Sequence, residues 1–120
     1  MQVLHSEAGT VLRIDQLGEA QVALDAASGF IATSPLHLIT RPSTRAKYLR
    51  LRKRADEIGM SMLSGQPDTE TLLDFHESEL LVETLRWFVR HSDRWPEGFT
   101  DQFLVMLHFI ENETGSTRAA

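Results

Sequence analysis

The segment that most constrains the fold is "TLLDFHESELLVETLRWFVRH", residues 71 to 91, which is apolar over most of a helix's circumference. Leu73, Leu80 and Trp87 form one apolar ridge, and Leu81, Val82, Leu85, Phe88 and Val89 form another. His76, Glu79, Glu83, Arg86 and Arg90 fill the one clear polar face. A helix that needs cover on two sides is central, so the rest of the chain has to pack around it. The helical region 69–91 is one helix or two: Asp74 followed by Glu77 has capping-box spacing, which allows a restart there.

Cover comes first from the C-terminal side. "WPEG" at 95–98 fits a type I turn with Pro second and Gly fourth. Thr100 then caps a last helix, 101–112, with Phe99 and Leu104 as a hydrophobic staple. Within it, residues 103–110 are apolar except for His108, which is expected to be buried or interfacial. At about 18 Å this helix is too short to cross a bilayer. It is therefore surrounded by its own fold or covered on one side by another chain. Phe103, Met106, Leu107, Phe109 and Ile110 are the candidate protein interface, with Trp95 as a second anchor. The competing reading makes the helix core and has Trp95 close the core over its loop. Residues 115–120 are expected to form a flexible tail.

On the N-terminal side, residues 2–14 predict a hairpin turning at "SEAG", with Gly9 supplying a positive φ and Leu4, Leu12 and Ile14 on one face. A lone hairpin is marginal in water, so it must lie on something. Residues 15–27 predict a helix with Asp15 as N-cap, Leu17, Gln21 and Leu24 on one side, and "SG" at 28–29 as its end. Residues 30–40, split by Pro35, are ambiguous between short edge strands and loop.

Between these parts stands the most charged stretch. Residues 41–54 hold seven of the chain's twelve Lys and Arg residues and no acid, in a protein of net charge −5. Residues 44–63 predict a helix capped by Ser43 or Thr44 and ended by "SGQPD" at 64–68. Tyr48, Leu51, Ala55, Ile58 and Met62 make one narrow apolar stripe. Lys47, Arg50 and Arg54 line one edge of it, Arg45 and Arg52 the other. An antiparallel pairing with the next helix brings residue 54 near 78 and residue 50 near 82, beside Glu77, Glu79 and Glu83. Such exposed ion pairs contribute only about 0–1 kcal/mol each. Bases at a helix start nonetheless oppose the macrodipole, at about 0.3–1 kcal/mol each. Lys47, Arg50 and Arg54 are thus candidate contacts to phosphates or to an acidic partner. Residues 41–63 sum to +5 and the rest of the chain to −10, which repels nucleic acid elsewhere. No helix-turn-helix, zinc-finger or RNA-recognition signature accompanies the bases.

Catalytic and metal signals are weak. "HSD" at 91–93 holds triad letters without triad geometry, and His76, Glu79 and Glu83 have metal-compatible spacing on what reads as a solvated face. There is no cysteine and no glycine-rich phosphate loop. The N-terminus shows no signal-peptide pattern, and the composition is that of a soluble, cytoplasmic domain.

The expected fold is α+β and predominantly helical: a small N-terminal β-hairpin plus helix (1–40), then a three-helix, bundle-like half (43–112), within one domain over 1–114. In size and in its helical C-terminal half the chain resembles small phage assembly proteins such as tail assembly chaperones. That resemblance implies an assembly role and carries no site residue across. The expected function is that of a non-enzymatic interaction or assembly protein without a cofactor, associating with itself or another protein and not with a membrane. A nucleic-acid-binding regulator using 41–54 is the alternative.

Overall fold

The computed structural model describes residues 1–33, 41–65 and 71–119, with 115–119 as backbone only. Among them the fold is α+β and predominantly helical. Strands β1 (Gln2–Ser6) and β2 (Gly9–Arg13) precede helices α1 (Leu17–Thr33), α2 (Pro42–Ser64), α3 (Phe75–Arg90) and α4 (Asp101–Ala119). A short 3-10 turn, Ser92–Arg94, links α3 to α4. One hydrophobic core runs through hairpin and helices alike, with Leu81, Leu85 and Phe88 of α3 buried in it. Of the ambiguous stretch 30–40, residues 30–33 continue α1 rather than forming strand or loop, and 34–40 lie outside the described residues, as does the 66–68 part of the expected break at 64–68.

The hairpin turns at Glu7 and Ala8, and Gly9 takes φ +133° as it enters β2. Its register pairs Val3 with Leu12 and Leu4 with Val11. Paired residues share a face and neighbours alternate. Leu4 therefore lies opposite Leu12 and Ile14 rather than beside them, and is 37% exposed while those two are fully buried. The residues before α3 run alongside β2. Leu73 N–H donates to the Leu12 carbonyl (2.9 Å), and Ile14 N–H donates to the Thr71 carbonyl (3.0 Å). The buried Ser78 hydroxyl accepts from Leu12 N–H at 3.1 Å, tying β2 to the first turn of α3.

Helix α1 starts two residues later than its expected cap. Asp15 instead meets the Met1 ammonium, as does Glu19, each at 2.5 Å. Those hydrogen bonds outweigh burial and hold the amine above its ordinary pKa, while the ammonium and Glu19 hold the Asp15 carboxyl below its own. The buried face of α1 is not Leu17, Gln21 and Leu24 but Ala20, Ala23, Ala26, Ala27 and Phe30. Small side chains let α2 approach closely, and a Cβ on Gly59 would lie only 3.7 Å from that of Ala20. At the other end Phe30 stacks on Tyr48 with ring centroids 4.6 Å apart, so the two helices are antiparallel. Ser28 and Gly29 do not end α1. A Cβ on Gly29 would stand 2.9 Å from Cζ of Phe88, so this glycine marks a close approach to α3 rather than a stop.

Neither Ser43 nor Thr44 caps α2. The helix begins at Pro42, whose ring presets φ and whose missing N–H costs nothing in a first turn, and Arg41 precedes it with no side-chain cap. Gly65 closes it in the left-handed conformation, φ 68°. Helix α3 has the capping box expected at Asp74 and Glu77: Asp74 Oδ1 accepts from Glu77 N–H (2.7 Å), and Glu77 Oε1 accepts from Asp74 N–H (2.9 Å). The turn into α4 is shifted by one residue. Phe99 N–H bonds the Pro96 carbonyl at 3.1 Å, and Gly98 sits third in that turn with φ +85°, a position that requires positive φ. Helix α4 runs past residue 112 to Ala119.

Candidate functional site

The α2 stripe is seated as its spacing predicts: Tyr48, Leu51, Ala55 and Ile58 are buried and Met62 half-buried. Burial, and secondarily the nearby Glu83 carboxylate, pushes the Tyr48 phenol above its ordinary pKa. The two edges of the stripe then diverge. On the α3 side, Arg50 Nη2 bonds Asp74 Oδ2 at 2.9 Å and its Nε stands 3.6 Å from Glu77 Oε2. Arg54 Nη2 donates to the Leu72 carbonyl at 2.9 Å. Lys47 lines a small cleft with Glu79 and Glu83. Arg50 and Arg54 therefore meet residues 72–77 rather than 78–82, because 71–73 is extended along β2 and delays the start of α3. Lys53 lies 4.0 Å from Glu57, one turn on. On the opposite edge Arg45 and Arg52 are exposed, and neither forms an ion pair among the described residues.

A concavity larger than the Lys47 cleft lies elsewhere. A groove of about 610 Å³ opens between the hairpin turn, α3 and the outer half of α4. Leu12, Phe75, Val82 and Ile110 give it apolar walls. Among the described residues that line it, Glu79, Glu83 and Glu111 stand against one cation, Arg86. Arg86 Nε lies 3.5 Å from Glu111 Oε1, tying α3 to α4 across the groove. Glu79 and Glu83 stand one turn apart on the exposed face of α3, and neither forms an ion pair among the described residues. Nothing in single-helix patterning joins the hairpin turn to α4, so this groove has no sequence signal beyond the polar face of α3.

The interface candidates on α4 divide. Phe103, Met106, Leu107 and Ile110 are buried in the chain's own core. Phe103 continues a run of rings from Trp87 through Phe88, at centroid distances of 5.0 and 4.9 Å. The fold covers this face itself, so these four do not face outward as an interface would. Phe109 (39% exposed) and its neighbour one turn back, Val105, remain outside. Trp95 is half-buried against Trp87, Phe88 and Phe99, with its indole N–H buried and unpaired among the described residues. His108 is exposed rather than buried.

In "HSD", His91 caps α3: its Nδ1 lies 2.7 Å from the Trp87 carbonyl, an acceptor only, so Nδ1 carries the proton. His76, Glu79 and Glu83 all lie on an exposed face, and no group of three His, Asp or Glu among the described residues is arranged to hold a metal ion. No helix among them is long and apolar enough to cross a membrane. No protein-family model, curated protein or solved structure matches the chain.

Proposed function

We propose that this protein is a non-enzymatic protein-interaction module of the assembly-factor, adaptor or inhibitor kind, self-associating and presenting a helical surface. The observation that carries this reading is the groove at the hairpin turn. Its volume, apolar walls and acid-rich rim suit side chains of another protein. Light scattering on the purified chain, with and without a mixed nucleic-acid pool, tests it. The expected result is a mass above the 13.6 kDa of one chain that nucleic acid leaves unchanged. A single-chain mass throughout overturns self-association.

The alternative, a nucleic-acid-binding regulator, draws on the exposed Arg45 and Arg52. The partners of Arg50 and Arg54 on α3 and at Leu72 weigh against it, since those two are, with Lys47, its candidate phosphate contacts. A mass that rises only when nucleic acid is added, and only at low salt, would establish it.

A further inference from the structure

We propose that the Arg45–Leu49–Arg52 edge of α2 docks into the hairpin-turn groove of a second copy of the chain, setting its guanidinium groups against Glu79 and Glu83. The inference rests on the protein-interaction reading and names the partner as the chain itself.

Two charge placements that local stability disfavours carry it. Arg41 at the N-cap and Arg45 in the first turns put positive charge at the positive end of the α2 dipole, with no acid in that first turn. Glu79 and Glu83 repel one another at a one-turn spacing on α3. Arg41, Arg45, Arg52, Glu79 and Glu83 are exposed and form no ion pair among the described residues, although Lys47 shares a cleft with the two acids. The two groups are opposite in sign and lie on different sides of the molecule. The basic edge of α2 is the one turned away from Asp74 and Glu77, whereas the acids stand between the Lys47 cleft and the hairpin-turn groove. No ion pair joins them within one copy among the described residues, and a second copy can bring them together.

Shape agrees with charge. Arg45, Leu49 and Arg52 recur at i, i+4 and i+7, the spacing at which a helix lays its anchors in a groove. Leu49 is only half-buried, and the groove offers Phe75 and Val82 for it and for the arginine stems. The contact joins unlike surfaces, so each copy can give one and receive one. It can be made reciprocally by two copies or repeated in a ring or an open chain.

The test is a charge swap at exposed positions. One variant carries Arg45→Glu and Arg52→Glu, the other Glu79→Lys and Glu83→Lys, and thermal melts check that both fold. Wild type is expected to assemble at low salt. Each variant alone should associate at least tenfold more weakly. An equimolar mixture should regain assembly, because each reversed helix then meets an oppositely charged groove. Assembly of either variant alone at wild-type strength, or a mixture that stays dissociated, overturns the proposal. If wild type assembles and neither variant weakens it, this interface falls and the protein-interaction reading stands. A wild type that stays a single chain at every salt removes this interface and self-association together.

Discussion

Along α2 the two edges of one buried stripe carry the same residue types and meet different surroundings. Arg50 and Arg54, on the edge toward α3, reach Asp74, Glu77 and the Leu72 carbonyl. Arg45 and Arg52, on the edge away from it, reach no acid among the described residues. What separates them is not helix patterning but the extended run at 71–73. By pairing with β2 it delivers a backbone carbonyl and the capping carboxylates of α3 to one side of α2 only. Basic residues that look alike in sequence are thus part of the fold on one edge and available to a partner on the other.

The largest effect belongs to the stripe between the edges. Leu51→Ala should cost about 2–5 kcal/mol, read as a fall in the urea midpoint. A cost below about 1 kcal/mol would mean that α2 is not seated as described. Next comes the acid that serves the inner edge. Asp74→Ala removes the helix cap and the partner of Arg50 together and should cost about 1–2 kcal/mol. Smaller still is the direct contrast of the edges. Arg50 is 69% exposed, so Arg50→Ala should cost no more than about 1 kcal/mol. Arg52→Ala should stay within about 0.5 kcal/mol, and an equal loss for both would erase the distinction.

The smallest effect is a titration. Tyr48 is the chain's one tyrosine, so phenol absorbance reports it alone. Its folded pKa lies above the ordinary 10.0 because burial, and then Glu83, disfavours the phenolate. Above that pH the unfolded chain gives up its proton first, so the native state binds more protons and stability falls as pH rises. The contribution is complete below about pH 10 and is lost through the folded value. A Tyr48 that titrates at the ordinary 10.0 in the native protein would place its ring outside the α2 stripe.

Much of the fold was legible in the sequence because it rests on local rules. The Asp74–Glu77 box, the α2 stripe and the hairpin turn each need only a few neighbouring residues. The misreadings arise where two distant segments meet. Gly29 looks like a helix stop until Phe88 is seen lying against it. Leu4 looks as if it shares a face with Leu12 and Ile14, but the turn that pairs Ser6 with Gly9 sets Leu4 across from Val11, on the other face. The apolar surface of α4 looked like an interface because neither the ring run through Phe88 nor the hairpin beside it is visible from that helix alone. For the candidate site, the bases of α2 and the acids of α3 were visible. The groove that sets Glu79 and Glu83 beside Glu111 was not, since it is made by three elements far apart in the chain.

The most direct test of the divided helix is the mass of the wild-type chain by light scattering across a salt series, without nucleic acid. An outward-facing basic edge that meets an acidic groove predicts assemblies at low salt that fall to 13.6 kDa as salt screens the contact. A 13.6 kDa species at every salt, or a larger one whose mass ignores salt, would contradict it.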